Sequence, residues 1–225
     1  MPQGEFGRKP RRQWAPDARA LSIVGDRWLM VIVRDLAAGP LRLEALRRWL
    51  PGVSAGALEA RLARMAEEGL LDRRRRRSLP PRVDLELTER GHALASVIAE
   101  LARWELRGHW SRPKEDEWVD VGACFRLAPF LQSPKRADGA IDGELALTIL
   151  AADGDEPEHY AFVRDHGRAK IEYRTAPDAD ADATLTGTQD AWVQALSSGD
   201  GAAKLKGTGD QALASSFLKL FTSAG

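Results

Sequence analysis

Cysteine is almost missing from this chain. Cys124 stands alone, so no intrachain disulfide framework and no cysteine-based metal site can be built. The four histidines, His92, His109, His159 and His166, have no metal-ligand spacing with one another or with Cys124. In the acidic run 178–183, Asp178, Asp180 and Asp182 stand where a calcium loop begins. Ala183 replaces the loop's glycine and Gln189 its closing glutamate, so that motif is rejected. No phosphate-cradling glycine loop or nucleophile elbow occurs, and GTGD at 207–210 is too short for a dinucleotide fingerprint. The expectation is a protein without catalytic residues, metal or cofactor. No apolar run approaches the ~18 residues that cross a bilayer. The basic N-terminus has neither the apolar segment nor the cleavage site of a secretory signal. A lone thiol fits the reducing cytoplasm.

Lysine is also scarce where charge is densest. Residues 1–115 hold 21 Arg but only 2 Lys, against 15 acids. Residues 116–225 hold 10 basic residues against 18 acids. The net charge of zero therefore hides a basic half and an acidic half, which points to two domains with different partners. Arginine suits planar, bidentate contact with phosphate and guanine. GC-rich codon usage accounts for part of the arginine preference but not for the charge split.

Helical signals fill the first half. Residues 1–15 read as a flexible basic arm. Pro16 opens a helix that Gly25 closes, and Asp26 can cap the next, with Trp28, Val31, Ile32, Asp35 and Leu36 at helical spacing. A short amphipathic helix over 41–52 presents Leu43, Leu46 and Leu50. Ser54 caps a helix over 54–69 with Leu58, Leu62 and Met65 on one face. Two strands, 70–74 and 82–87, flank a loop near 75–81, and Thr88 caps a long helix over 89–109. That helix is expected to carry Leu94, Ile98, Leu101 and Trp104 on one side with Val97 beside them. Residues 16–110 form one domain on this reading, 111–117 a linker, and 118–225 a second domain.

Three helices, a two-stranded loop and a fourth helix make a winged helix-turn-helix. In that arrangement the helix after Ser54 enters the major groove, and the wing reaches the flanking backbone. The DNA-contacting candidates are Ser54, Gly56, Ala57, Arg61 and Arg64 on the helix, and Arg73, Arg74, Arg75, Arg76, Arg77 and Arg82 on the wing. Arg61 is the candidate reader of guanine, Arg64 the weaker one. A solvated arginine loop of no consequence is the bland alternative. The pieces Gly25-Asp26-Arg27-Trp28, Gly39-Pro40, Leu46, Pro51-Gly52 with Ser54, Gly69-Leu70, and Pro81-Arg82-Val83 through Leu87-Thr88 with Gly91 come in order. Over roughly residues 15–110 they resemble the HxlR-type winged-helix regulators, relatives of the MarR type. The resemblance implies a bacterial DNA-binding homodimer, joined through terminal helices, on double-stranded DNA with a pseudo-palindromic operator. Many members carry Cys-Pro before the first helix. This chain has Ala15-Pro16, so a thiol switch at that place is excluded.

The second half reads as α+β. Strands are expected at 142–152, 158–165, 168–175, 182–187 and 202–209, with helices capped by Thr188 and Asp210. LALTIL at 145–150 is apolar on both faces, which suits a sheet covered on both sides. The run from Asp178 to Phe221 resembles the end of a sterol-carrier-protein-like domain, and the likeness extends over roughly 118–223. It implies a five-stranded sheet with helices around an apolar tunnel. Leu147, Ile149, Trp192, Phe217 and Phe221 are its candidate ligand-binding residues, and an ordinary packed core is the alternative. The leading reading is a homodimeric transcriptional regulator, a repressor responding to an apolar small molecule through its second half. The alternatives are a lipid carrier or enzyme with a nucleic-acid-targeting first half, or a regulator whose second half is only a dimerisation scaffold.

Overall fold

The computed structural model describes residues 14–77, 82–132, 141–151, 156–198 and 200–222. Most of the expected basic arm and the wing tip at 78–81 lie outside these residues.

The first half is built by its caps. Helix α1 (Pro16–Val24) starts with proline at its first position, and α2 (Arg27–Ala37) follows after Asp26. Asp26 Oδ1 accepts the N–H groups of Trp28 at 3.0 Å and Leu29 at 3.4 Å. These would otherwise be orphan donors at a helix start. Leu29, Ile32, Val33 and Leu36 of α2 pack on Leu46 of α3 (Leu43–Arg48) and on Leu58, Leu62 and Met65 of α4 (Ala55–Glu67). Strands β1 (Leu41–Arg42), β3 (Arg82–Leu87) and β2 (Leu71–Arg76) form an antiparallel sheet in the order β1-β3-β2. Gly69, at φ 68°, turns the chain out of α4 into the wing, a backbone state that other residues rarely adopt. Thr88 Oγ1 accepts the Gly91 N–H at 3.1 Å and so starts α5 (Glu89–Leu106).

Helix α5 buries only part of the apolar side expected of it. Leu94 and Ile98 pack inward on the winged-helix core, whereas Val97, Leu101 and Trp104 are exposed. At 100° per residue, positions 97, 101 and 104 flank 94 and 98 on the side away from the buried Gly91, Ala95 and Ala99.

Helix α6 (Val121–Leu131) begins the second half, with Asp120 accepting the Ala123 N–H at 2.8 Å as its cap. It was not legible, because Pro129 lies within it and apolar residues surround it on every side. Then come β4 (Gly143–Leu150), β5 (Glu158–Asp165), β6 (Arg168–Arg174), β7 (Ala183–Thr188), α7 (Gln189–Ser198), β8 (Lys206–Gly209) and α8 (Gln211–Thr222). The sheet order is β6-β5-β4-β7-β8, with β4 and β7 parallel and the other pairs antiparallel. The last strand is shorter than the expected 202–209, since Asp200–Lys204 is a 3-10 turn that carries Leu205 into the core.

Only one face of this sheet takes the helices α6, α7 and α8. Leu145, Leu147, Phe162, Ile171 and Leu185 point to them. The other face carries Thr148 bonded to His159 at 3.0 Å, and Arg174 paired with Glu172 at 2.7 Å. The expectation of a sheet covered on both sides is therefore corrected. Ala146 and Thr148 are small enough to be buried by their strand neighbours without a second layer among the described residues.

One side chain joins the halves. Arg126 of α6 is 1% exposed, and all three of its guanidinium nitrogens are bonded. Nε donates to Asp35 of α2 at 2.8 Å, NH2 to Asp120 at 2.7 Å, and NH1 to the Tyr160 hydroxyl at 2.9 Å. The guanidinium also lies 4.1 Å from the ring centre of Trp49, whose own edge meets Tyr173 at 5.7 Å. Arg34 adds a second cation, 2.8 Å from Asp35 and 3.7 Å from Asp120. Two cations thus face two anions. Burial alone would favour a neutral guanidine, but Asp35, Tyr160 and Asp120 outweigh it and hold the Arg126 proton more firmly than water does. Gly122 makes room for this, since a Cβ there would collide with the Tyr160 hydroxyl and Arg126.

Removing one partner of a buried ion pair leaves the other charge stranded, whereas replacing both by apolar groups is close to neutral. Asp35→Ala is expected to cost ~3–5 kcal/mol. The double variant Asp35→Leu/Arg126→Met should recover most of that loss. Urea unfolding followed by circular dichroism checks both, and additive losses in the double variant would contradict the pairing.

Candidate nucleic-acid interface

The pleat of the wing sorts its five arginines into two sets, because alternate residues of a strand point to opposite faces. Arg74 and Arg76 share a face with Asp72, Asp84 and Glu86. Arg74 pairs with Glu86 at 2.8 Å, and Arg76 with Asp84 at 3.2 Å. Arg73 and Arg75 are on the other face, and Arg77 follows the end of the strand at Arg76. Arg73 reaches Glu59 of α4 at 2.6 Å and ties the wing to that helix. Arg75 and Arg77 are exposed and have no ion-pair partner among the described residues. Arg82 lies opposite Arg76 in the strand register.

Helix α4 presents an open N-terminal face. Ser54 Oγ accepts the Ala57 N–H at 3.3 Å, which leaves Ser54, Ala55 and Gly56 exposed at the helix start and Ala57 half-buried. Nothing stands within 4 Å of a Cβ built on Gly56. Ala60 and Ala63 continue the exposed face, so it is small and uncharged along two turns.

The two arginines expected to read bases from this helix are occupied within the chain. Arg61 Nε donates to Asp26 Oδ2 at 3.1 Å, and its NH1 donates to the Ala57 carbonyl at 3.2 Å. Arg64 donates to the Ser22 carbonyl of α1 at 2.6 Å. Both therefore brace α4 against α1 and the start of α2. Burial raises the Asp26 carboxyl, but the Arg61 guanidinium and the Trp28 and Leu29 N–H groups outweigh it and hold the carboxyl below its ordinary value. This depressed group contributes stability above its ordinary value, and the contribution is lost as pH falls through the lower folded value.

The five residues named for a ligand tunnel are brought together, but as packed core. Leu147, Trp192, Phe217 and Phe221 are buried, and Ile149 packs against them. Phe125 of α6 fills their middle, 4.7 Å from Trp192 and 5.8 Å from Phe217, edge to face in both cases. Cys124 is half-buried, and burial pushes its thiol up to about 11, so little thiolate exists near neutrality. Asp142, Asp165 and His166 place ligand-type atoms within 4.8 Å of one another. Their geometry is that of a hairpin closure, since Asp142 accepts the His166 backbone N–H at 3.1 Å.

Arg75 and Arg77, which have no ion-pair partner among the described residues, should carry the phosphate contacts. Each phosphate contact contributes a salt slope of about 0.9. Arg75→Ala/Arg77→Ala is expected to flatten the salt dependence of duplex DNA binding by up to about twice that. Arg74→Ala/Arg76→Ala should change it much less. Fluorescence anisotropy across a salt series distinguishes the pairs, and equal losses would contradict the sorting.

Comparison with known proteins agrees with this geometry. The HxlR-like helix-turn-helix family matches residues 23–112. The uncharacterized HTH-type transcriptional regulator YvaP of Bacillus subtilis is 30% identical over 102 residues, which cover 45% of this chain and 85% of that protein. An uncharacterized HTH-type transcriptional regulator of Halalkalibacterium halodurans is 29% identical over 109 residues, 48% of this chain and 96% of that protein. Among solved structures, the reduced form of the transcriptional regulator YodB from B. subtilis is 28% identical, covers 43% of this chain and 96% of its own, and has a TM-score of 0.40. The family match and the 30% identity to YvaP over 85% of its length place the chain in the HxlR-like helix-turn-helix family of transcriptional regulators.

Proposed function

We propose that the protein is a homodimeric, sequence-specific DNA-binding repressor whose C-terminal half senses an apolar small molecule. The observation that carries the DNA part is the pairing of an open, small-residue face at the start of α4 with two unpaired arginines on the neighbouring wing. The helix face lets the backbone approach base edges, and the arginines hold the register on phosphate.

The dimer rests on the terminal helices. Val97, Leu101 and Trp104 form an exposed apolar stripe on α5, and Leu21 is exposed on α1, which buries none of its residues. Such surface on a single copy is a mark of an interface, and a self-complementary patch is most simply covered by a second copy about a two-fold axis. Two copies of α4 related in this way would meet two half-sites about one helical turn, ~34 Å, apart on a pseudo-palindromic operator. A dimer seated there obstructs transcription, which is the reading of repression. The sensor role goes to the C-terminal half because a DNA-binding unit of this family has been joined to it through a fully bonded buried arginine. The sterol-carrier-like reading of this half is supported by its five-stranded sheet with helices on one face.

Leu101→Glu/Trp104→Glu should yield a monomer by analytical ultracentrifugation and lower operator affinity by at least tenfold, about 1.4 kcal/mol. A dimer that persists in this variant would move the interface elsewhere. A chain that binds every duplex with equal affinity would remove the sequence-specific reading.

A further inference from the structure

A cavity of about 1070 Å³ opens where the winged-helix half, the connecting segment and helices α6 and α7 meet. Four of the chain's seven tryptophans line it: Trp28, Trp49, Trp110 and Trp118. The wall also includes Leu50, Pro51 and Gly52, the turn that leads directly into α4. Trp110 is fixed by a hydrogen bond from its Nε1 to the Leu196 carbonyl of α7 at 2.9 Å. Trp118 is 65% exposed and Trp110 39% exposed, so both indoles leave surface uncovered at a concave site.

The charges of this site select its ligand. Arg34 is held by Asp35 and Asp120, and Asp120 also holds Arg126 at 2.7 Å. Arg27 lies 5.5 Å from the ring centre of Trp28, over its face. The remaining acids, Asp116 and Glu117, are exposed on the connecting segment. Of the wall's two arginines Arg34 is ion-paired and Arg27 lies over the Trp28 face, and the three acids outnumber them, so the wall offers no net positive charge to a carboxylate. Indole faces instead favour flat π-systems in stacked or edge-on contact. Pockets of this size take drug-sized molecules and bury most of their surface.

We propose that this cavity binds a flat, uncharged polycyclic molecule and that occupancy acts on α4 through the turn 50–52. The inference rests on the sensor reading above, and it moves the sensing site from the packed core of the C-terminal half to the junction. Two of the cavity's lining groups, Trp49 and Asp120, are also contacts of Arg126. A ligand that shifts them therefore alters the bonds that hold the halves together. Another wall residue, Trp28, is 3.5 Å from the Cβ position of Gly52 and is itself a donor to the Asp26 that holds Arg61.

The test is a titration of the full-length protein with the uncharged probe N-phenyl-1-naphthylamine, read by probe fluorescence. Saturable binding is expected at one site per chain, with decanoate failing to displace it. Trp118→Ala and, independently, Ser197→Trp on the α7 wall should each weaken binding by at least about tenfold, the scale of one lost aromatic stack with its burial. Circular dichroism confirms that each variant is folded, and Trp118→Ala removes a largely exposed side chain, so it serves even if Ser197→Trp does not fold. Absence of saturable binding, or affinity unchanged in the folded variants, overturns the site. Operator affinity measured with and without saturating probe separates the two claims. A shift supports coupling to α4. Variant-sensitive probe binding with no shift overturns that coupling and the sensor reading of the proposed function, and leaves the site standing.

Discussion

A guanidinium stripped of water must have its charge met and its donors filled, or the fold around it does not hold. Arg126 meets both conditions only because two parts of the chain supply what it lacks. Asp35 comes from the second helix of the DNA-binding half, while Asp120 and Tyr160 come from its own half. Trp49 covers the flat face of the same group. This contact set ties α2, the turn before α4 and helix α6 to one another. A protein whose halves were joined only by a polar linker would have no reason to bury an arginine between them.

The DNA-facing surface obeys the same accounting of charge. A run of five arginines looks uniformly cationic, but neighbouring carboxylates quench part of it. Glu59, Asp84 and Glu86 take up Arg73, Arg76 and Arg74 respectively. What remains for a polyanion is a smaller and more directional charge, concentrated at Arg75 and Arg77 on the side of α4. Self-pairing also relieves the repulsion that five adjacent cations would impose on a narrow hairpin. The helix itself spends its two arginines on bracing, which leaves its exposed N-terminal face to small residues.

Legibility in the sequence followed the range of each interaction. Asp26, Ser54, Thr88 and Asp210 announce helix starts because a cap acts over two or three residues, and all four accept the expected backbone N–H groups. The strands from 158 to 174 were legible from their alternation and the turn between them. Contacts that depend on distant residues were not. Asp35 and Arg126 are 91 positions apart, and each is only a charge on an otherwise apolar helical face. Those two anomalies were the available signal, since a charge at a core position demands a partner. The contact of Arg61 was hidden for a related reason. Its helical position suited base contact, but the acceptor that claims it is the cap of another helix. The division of the wing arginines likewise depends on cross-strand register rather than on the run itself. For the C-terminal half, apolar composition could not separate a tunnel from a packed core. The edge-to-face rings around Phe125 fill that space.

The central claim is that the two halves are one cooperative unit, held by the buried ion network around Arg126. Differential scanning calorimetry of the full-length protein tests it most directly. Coupled halves unfold in a single endotherm whose van't Hoff enthalpy matches the calorimetric enthalpy of the whole chain. Two separate transitions, each matching its own half, would contradict the account.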